Sequence, residues 1–336
     1  MRFIIKVSLS LILLLVIVSV ITWEQYQKFM TTPLEIDSQG YVYTVHNGSN
    51  LQQISRDLHH AELTQLPAEY LHIYGRLTHK AHLIKAGEYR IEPQTTLPQL
   101  LDLLISGQVI QYSFTIVEGM TTQQLITMIA KDERFTKTLT DTSLSSVMKA
   151  LDLPSNHGEG EFAPETYHFT SGASDMQILR RAHSLMTSIL EEAWKNKAEN
   201  LPYKTPYEAL VMASIIEKET GIAEERAQIA GVFVRRLELG MRLQTDPTVI
   251  YGLGKSFDGN LRRKDLTTDT TYNTYTRHGL PPTPIALPSK ESIEAALHPQ
   301  AGKSLFFVAT GHEGRHVFSA NLADHNKAVR QYQLKQ

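Results

Sequence analysis

The hydrophobic pattern of the chain begins with one long apolar run. Residues 7–23 are apolar apart from serines and a threonine. A helix over a run of this length crosses about one bilayer. The positions around its end are bulky or polar, whereas cleavage of a signal peptide requires small residues. The run therefore predicts a retained transmembrane anchor at residues 7–23 and favours it over a cleaved signal peptide.

Charges on either side of the run predict how the anchor is oriented. Arg2 and Lys6 precede the run, and Glu24 follows it. The positive-inside rule then places residues 1–6 in the cytosol and the rest of the chain beyond the cell (inner) membrane, in the periplasm or its extracytoplasmic equivalent. Residues 24–40 are mostly polar and predict a linker.

Short strand and helix patterns follow the linker and predict a small mixed domain at residues 41–107. Alternating apolar residues from Tyr41 indicate a strand, and periodic leucine and isoleucine from Leu51 indicate a helix. Further expected elements are a helix at 68–76, a strand at 87–91 and a helix that ends at Gly107. This pattern resembles a LysM module, a βααβ domain that often binds N-acetylglucosamine polymers. A generic βα unit without a ligand is the alternative.

The larger part of the chain, residues 108–336, predicts an α+β domain that holds the functional site. Ser174 caps a strongly amphipathic helix, and helices at 205–221 and 224–238 follow each other closely enough to form a helical hairpin. A β-hairpin is expected at 305–309 and 315–318, before a closing helix at 321–333. The fold class predicted for the whole chain is α+β with one N-terminal transmembrane helix.

The helix at 205–221 has clear end signals. Thr205 suits its N-cap and Pro206 its first position. Gly221 suits a left-handed C-cap. The boundaries of this helix are therefore well defined by local sequence, and its faces can be assigned on a helical wheel.

The wheel separates the two glutamates near the end of this helix. Glu217 falls on the apolar face, where packing alone predicts an aliphatic residue, and Glu219 falls at the edge of that face. We therefore expect Glu217 to be desolvated, which raises a carboxyl pKa toward neutrality and suits a general acid. The alternative is that Glu217 pairs with an arginine such as Arg235 or Arg242.

Composition limits the chemistry that the chain can perform. It has no cysteine, which excludes disulfides, thiolate metal sites and a cysteine nucleophile. Its 33 basic and 35 acidic residues nearly balance, which argues against nucleic acid as a partner. His312 and His316 lack the companion residues of a zinc motif, and phosphate-binding and dinucleotide-binding motifs are absent from the sequence. Neither a metal nor a cofactor is expected.

Two polar segments downstream of the helix suit a carbohydrate cleft. Both are rich in Tyr, Asn, Gln and Thr, whose rings contact sugar C–H groups and whose amides and hydroxyls bind sugar hydroxyl and N-acetyl groups. A proline-stiffened structural loop is the alternative. The candidate substrate-binding residues are Gln244, Thr245, Asp246, Tyr272, Asn273 and Tyr275, together with Glu219 on the helix.

Four motifs in order resemble the endolytic murein transglycosylase family, also called YceG-like. They are ASIIEKET at 213–220, LQTDPTVIYG at 243–252, YNTY at 272–275 and GLPP at 279–282. The resemblance covers nearly the whole chain. The family usually has Asp where this chain has Glu165, and Gly where it has Thr283 and Ser289. None of these departures is expected to touch the Glu217 motif.

The resemblance implies a reaction and an acid. The family cleaves the β-1,4 bond between N-acetylmuramic acid (MurNAc) and N-acetylglucosamine (GlcNAc) inside peptidoglycan strands without water. This chain is thus expected to be a lytic transglycosylase, a lyase acting on polysaccharide. By resemblance Glu217 protonates the glycosidic oxygen. Its conjugate base then takes the proton of the MurNAc C6 hydroxyl, which attacks C1 and closes a 1,6-anhydro ring.

Two other functions are consistent with the same residues. A membrane-tethered scaffold would bind peptidoglycan without cleaving it. A muramidase would use Asp246 or Glu219 to activate water, and would leave reducing ends. By analogy with the family, the expected partners are nascent peptidoglycan strands and the synthases that make them, and a cut there would end strand elongation.

Overall fold

The structure of this protein is a computed structural model, and it describes residues 2–153 and 158–334. The chain divides into two compact units. The first contains the residues up to Tyr112 together with His168–Gly172, and the second contains Ser113–Tyr167 together with the residues from Ala173 onward. The fold is mixed α+β, as predicted, and helices outweigh strands.

Helix α1 (Arg2–Thr31) contains the predicted anchor and extends beyond it. Its residues Ile4–Thr31 are long and apolar enough to cross a membrane, and the aliphatic side chains between Ile4 and Ile21 are exposed. At 1.5 Å per residue, α1 is about 45 Å long, which exceeds the roughly 30 Å of a bilayer core. This helix is compatible with a single-pass anchor.

The last turns of α1 belong to the first unit rather than to a free linker. Phe29 is only 3% exposed, and its ring packs against Tyr74 with 5.1 Å between the ring centroids. Beyond the helix, the N–H of Leu34 donates to Thr95 O at 2.8 Å, and Leu34 is buried. The prediction of a polar linker over 24–40 is therefore wrong, because apolar residues within this stretch are anchored in the core of the unit.

A two-stranded antiparallel sheet and two helices form the centre of the first unit. Strand β1 (Tyr41–Val45) pairs with β2 (Gly87–Ile91), so that Tyr41 lies opposite Ile91. Helices α2 (Leu51–His60) and α3 (Ala68–Leu77) connect these strands and give the predicted βααβ order. Helix α4 (Leu97–Ser106) follows and ends at Gly107, as predicted. Fully buried side chains include Ile54, Leu58, Tyr89, Leu100 and Leu104.

The rest of the chain consists mainly of helices with two small strand pairs. Strand β3 (Gln111–Thr115) pairs with β4 (Thr166–Thr170), and β5 (Phe306–Ala309) pairs with β6 (His316–Ser319) as the predicted C-terminal hairpin. The helices are α5 (Thr122–Lys131), α6 (Leu144–Ala150), α7 (Asp175–Lys195), α8 (Pro206–Glu219), α9 (Ala223–Glu238), α10 (Asp246–Leu253), α11 (Arg263–Thr267), α12 (Lys290–Leu297) and α13 (Leu322–Tyr332).

Helix α8 is the central helix of the second unit. Residues 209–216 are all buried, because α7, α9, α10 and α12 pack around it. A helix that is buried on all sides has no single apolar face, so a helical wheel cannot rank its two glutamates. The N-terminal signals are confirmed, since Thr205 Oγ1 accepts the N–H of Glu208 at 3.2 Å. The left-handed cap predicted at Gly221 is wrong, because α8 stops at Glu219 with Thr220 as its C-cap.

Candidate active site

Glu219 ends α8 and contacts the segment that begins α10. The Thr245 hydroxyl donates a hydrogen bond to Glu219 Oε1, and Thr245 is only 2% exposed. Burial raises the pKa of Glu219 and so does the Asp246 carboxylate, whereas the Thr245 hydroxyl and the Arg236 guanidinium lower it, and together these effects bring the pKa to about 7. Glu219 is therefore a carboxyl group that can both donate and accept a proton near neutral pH.

Three more of the predicted substrate-binding residues lie around Thr245. The Tyr275 hydroxyl donates to Asp246 Oδ1 at 2.5 Å. Gln244 is exposed and has a φ of 52°, a backbone conformation that is strained for a residue with a side chain and that clusters at functional sites. The structure thus gathers Gln244, Thr245, Asp246 and Tyr275 beside Glu219, and we call these five residues the Glu219 cluster.

Hydrogen bonds join the two motif segments that form the Glu219 cluster. The N–H of Gln244 donates to Thr274 O at 3.2 Å, and the N–H of Thr245 donates to Thr274 Oγ1 at 3.1 Å. Both contacts place the start of α10 directly against the YNTY segment. Two sequence motifs that lie about thirty residues apart therefore form one surface.

Asn273 supports this surface from inside the protein. It is fully buried, and its Nδ2 donates to the carbonyls of Asp265, Leu266 and Thr268 at the end of α11. Its Oδ1 accepts the N–H of Tyr275 at 2.9 Å. The sequence predicted that Asn273 binds substrate, but these contacts give it a role in positioning Tyr275 instead.

Tyr272 contacts Tyr251 and Thr283 rather than the residues of the Glu219 cluster. Its ring packs edge-on against Tyr251 with 4.9 Å between centroids. Its hydroxyl lies 2.9 Å from Thr283 Oγ1. The family resemblance implies Gly in place of Thr283, and a glycine has no hydroxyl to contact Tyr272.

Glu217 is held at the other side of α8, by the N-terminus of α12. Its Oε2 accepts the N–H of Ser289 at 2.9 Å, the Ser289 hydroxyl at 2.5 Å and the Ser292 hydroxyl at 2.7 Å. Residues two apart on a helix leave it about 200° apart, so Glu217 and Glu219 do not face the same site. Glu217 does not pair with Arg235, whose guanidinium donates to backbone carbonyls.

These contacts correct two expectations about Glu217. Glu217 and Glu219 are both half-buried, so the predicted difference in burial between them is wrong. Burial raises the pKa of Glu219. Ser289 was also expected to lie apart from the Glu217 motif, although it departs from the family pattern. Its hydroxyl and its N–H contact Glu217 directly.

Two buried charged residues of this region were missed by sequence reasoning. Glu159 is 3% exposed and accepts the N–H of Thr122 at 2.8 Å and the Tyr251 hydroxyl at 3.0 Å, and burial raises its pKa. The sequence signal that could have pointed to Glu159 is its position between Gly158 and Gly160, and both glycines adopt positive φ in the structure.

Arg236 is the second missed residue. It is 7% exposed, and its Nη1 donates to Leu243 O at 2.7 Å, next to the Glu219 cluster. An arginine in the last turn of a helix is common on protein surfaces, so its sequence position carried no signal for burial. In the part of the chain that the structure describes, no three His, Asp or Glu side chains converge as metal ligands.

The site is typical of an enzyme that uses acid–base catalysis. It contains a carboxyl group of raised pKa, and the tyrosine, threonine and carboxamide groups around it can bind a polar substrate. The chain belongs to the YceG-like family, whose sequence model matches residues 43–331. It is 31% identical to an endolytic murein transglycosylase of Bacillus subtilis (strain 168), across 91% of this chain and 89% of that protein.

Other relatives agree with this membership. The chain is 27% identical to an endolytic murein transglycosylase of Streptococcus pneumoniae serotype 2, across 92% of this chain and 61% of that protein. A crystal structure of a YceG-like protein from Listeria monocytogenes is similar to this one with a TM-score of 0.53. It has 28% sequence identity, and the similarity covers 87% of this chain and 99% of that chain.

Proposed function

We propose that this protein is an endolytic murein transglycosylase. It cleaves the bond between MurNAc and GlcNAc inside peptidoglycan strands and leaves 1,6-anhydro-MurNAc ends. Membership of the YceG-like family and the names of its relatives support this function. The observation that carries it is Glu219, a carboxyl group with a pKa near 7 that lies beside four predicted substrate-binding residues.

Glu219 performs both proton transfers in the proposed mechanism. Its protonated form donates to the glycosidic oxygen as the bond to C1 breaks. The resulting carboxylate then accepts the proton of the MurNAc C6 hydroxyl, whose oxygen bonds to C1 and closes the anhydro ring. The proton count balances, so Glu219 is protonated again at the end. A pKa near 7 suits both directions of transfer.

Asp246 stabilises the positive charge that develops at C1 in this mechanism. Its carboxylate lies close enough to Glu219 to raise the pKa of that group, and the Tyr275 hydroxyl orients it at 2.5 Å. A fixed negative charge beside an oxocarbenium-like centre lowers the energy of the transition state. Gln244, which is exposed at the same edge, binds the polar groups of the sugar.

Glu217, the acid that the family resemblance implied, is the alternative candidate. Its Oε1 accepts no hydrogen bond from the residues that the structure describes, so this atom is available to a substrate. Its Oε2 accepts three hydrogen bonds that hold it against the N-terminus of α12, whereas Glu219 is the carboxyl group that lies beside the predicted substrate-binding residues. The geometry therefore supports Glu219 over Glu217.

Product analysis of paired variants tests the function and the acid together. The full chain in detergent digests purified peptidoglycan, and mass spectrometry identifies the strand ends. Wild-type protein is expected to release internal fragments with 1,6-anhydro-MurNAc ends, and Glu219→Gln is expected to release none above background. Glu217→Gln, which makes the same change two residues away, is the matched control, and it is expected to release anhydro ends more slowly than the wild type but well above background. Loss of activity only in the control would assign the acid to Glu217.

The same digest separates the rival functions. Reducing MurNAc ends would identify a muramidase in which a carboxylate such as Asp246 activates water. Binding without any cleavage by a folded wild-type chain would identify a scaffold. Anhydro ends are compatible with neither alternative.

Helix α1 supports a further part of the proposal, that the chain is a single-pass protein of the cell (inner) membrane. Its N-terminus lies in the cytosol and both units lie outside, where the βααβ unit binds glycan strands near the synthases that make them. Cleavage of nascent strands there ends their elongation. Protease added outside spheroplasts should digest both units, and protection of the C-terminus would refute this orientation.

A further inference from the structure

Glu159 is a buried carboxyl group that the proposed mechanism does not use. It is 3% exposed, and it belongs to the second unit together with α5, α8 and α10. A carboxylate that is taken out of water must be compensated by hydrogen-bond donors of the protein. The donors of Glu159 come from two elements that are far apart in the sequence, so this side chain is a junction between them.

Each oxygen of Glu159 binds a different element. Its Oε1 accepts the N–H of Thr122, the first residue of α5, at 2.8 Å, and the Thr122 hydroxyl lies 3.0 Å from the same oxygen. Its Oε2 accepts the hydroxyl of Tyr251, in the last turn of α10, at 3.0 Å. The N-terminus of α5 also favours a negative charge. The carboxylate therefore ties the start of α5 to the end of α10.

The turn that leads into α5 borders the Glu217 side of α8. Lys218 Nζ donates to Gly119 O at 3.1 Å, and the N–H of Gly119 donates to Leu287 O at 2.9 Å. A methyl group added at Gly119 would lie 3.9 Å from Glu217 Cγ, so the backbone of this turn runs directly beside the Glu217 side chain. Fixing Thr122 therefore fixes the exit of a turn that contacts the end of α8.

Helix α10 borders the Glu219 side of α8. Its N-cap, Thr245, donates to Glu219, and its first residue, Asp246, acts on the pKa of Glu219. Tyr251 follows Asp246 by five residues, which corresponds to about 7.5 Å along the helix axis. Within the part of the chain that the structure describes, Tyr251 forms no hydrogen bond with the Glu219 cluster. Glu159 is thus connected to Glu219 through α10.

We propose that Glu159 is a positioning residue of the active site, and that it fixes the two segments on either side of the last turn of α8. One segment is the turn at 118–121 beside Glu217, and the other is α10 beside Glu219. The placement matters for the rate, because a displacement of about 1 Å can cost about 10²-fold in catalysis. This inference deepens the proposed function and rests on it, since it assigns a role to Glu159 in the same reaction.

A loosened α10 should let water reach Glu219. Burial is the largest cause that raises the pKa of this carboxyl group, and Asp246 adds to it, whereas Thr245 and Arg236 lower it. Tyr275 is a further titratable group that interacts with Glu219. Hydration should lower the pKa of Glu219 toward its ordinary value. The alkaline limb of the pH–rate profile should then move to lower pH, whereas a purely structural role of Glu159 predicts lower stability without this shift.

Tyr251→Phe tests the proposal, because it removes only the hydroxyl that binds Glu159. The full chain in detergent digests purified peptidoglycan between pH 5 and pH 9, and the release of anhydro ends is measured. Tyr251→Phe should lower the maximal rate about tenfold and move the alkaline limb to lower pH. Glu159→Gln should do the same, and the double variant should lose less than the product of the two single losses, since both remove one link.

Tyr167→Phe is the matched control. Tyr167 is also buried in the second unit, and its hydroxyl donates to Ala163 O at 2.7 Å rather than to a residue that contacts α10. This control should lose a similar amount of stability and keep the alkaline limb where it is in the wild type. An unmoved limb in Tyr251→Phe, or the same shift in Tyr167→Phe, would overturn the inference.

A stability cycle separates this inference from the proposed function, because it needs no activity. Urea unfolding at pH 8 measures the gain from Glu219→Gln in the wild type, in Tyr251→Phe and in Tyr167→Phe. The gain should be about halved in Tyr251→Phe, where Glu219 is already hydrated, and unchanged in Tyr167→Phe, since distant independent sites add. Equal gains in all three would refute the inference. A halved gain in a protein whose wild type forms no anhydro ends would support the link from Glu159 to Glu219 and refute the proposed function.

Discussion

Replacing Glu219 by Gln should make the protein more stable at alkaline pH while it abolishes cleavage. Glu219 has a pKa of about 7 in the folded chain, against 4.5 for an unperturbed group. Between these values the unfolded chain has released the proton and the folded chain has kept it. Stability therefore falls as the pH rises from 4.5 to 7, and the loss is complete above pH 7. A glutamine stays neutral and avoids this loss.

The magnitude follows from the size of the shift. A difference of 2.5 pKa units between 4.5 and 7 corresponds to about 3 kcal/mol at 1.36 kcal/mol per unit. This is an upper limit, because Glu219 is only half-buried and solvent screens part of the charge. At pH 5 the same linkage gives less than about 1 kcal/mol, since the unfolded chain is then still partly protonated. Most of the gain should therefore appear between pH 5 and pH 8.

Urea unfolding of the full chain in detergent, followed by tryptophan fluorescence at pH 5 and pH 8, measures this difference. Glu217→Gln is the control with the opposite sign, since it replaces the carboxylate that accepts three hydrogen bonds with a neutral amide, a weaker acceptor, and should destabilise by about 1–3 kcal/mol. The reasoning is refuted if Glu219→Gln is no more stable than the wild type at pH 8, or if its gain is the same at both pH values.

Three further predictions concern the same region. The cleavage rate of the wild type should fall above about pH 7, where Glu219 loses its proton, and Glu219→Gln should lower the rate by about 10²- to 10⁴-fold; a rate that keeps rising to pH 9 would contradict this. Thr245→Val removes a hydroxyl that lowers the pKa of Glu219, so the alkaline limb of the pH–rate profile should move to higher pH, and a move to lower pH would be inconsistent with the assignment. Ser289→Gly introduces the residue that the family resemblance implies and removes both an N-cap hydroxyl and a hydrogen bond to Glu217, so it should destabilise the chain by about 1 kcal/mol in urea unfolding and leave the pH–rate profile unchanged; a shifted profile would point to Glu217 as the acid.

Elements with local signals were predictable from the sequence. The start of α8 at Thr205 and Pro206, the end of α4 at Gly107 and the C-terminal hairpin all depend on residues within a few positions of one another. The burial of residues within 24–40 was not predictable from such local signals. Phe29 and Leu34 are isolated apolar residues in a polar stretch, and only tertiary packing shows that they are buried.

The choice between the two glutamates also lay beyond local reasoning. The wheel assumed that α8 exposes one face, but its residues 209–216 are buried all round. The environment of Glu219 is set by Thr245 and Asp246, which lie more than twenty residues downstream in the sequence. The environment of Glu217 is set by Ser289, which lies about seventy residues downstream and donates a hydrogen bond to it. The motifs located the candidate site correctly as a set of segments, and their mutual contacts came from the tertiary fold.

The last turn of α8 combines a destabilising and a stabilising carboxyl group, and the combination has a physical reason. Glu219 needs a raised pKa to act as an acid, and burial of its charge weakens the folded state above pH 7. Glu217, two residues earlier and on the opposite side of the helix, binds the N-terminus of α12 through three hydrogen bonds, where a helix favours negative charge. Both groups belong to one helical turn. The hydrogen bonds of Glu217 therefore help to fix the backbone position of Glu219 and offset part of the free-energy cost of burying the Glu219 carboxylate. The variant Glu217→Gln should therefore slow cleavage through misplacement of Glu219, without moving the pH at which activity is lost.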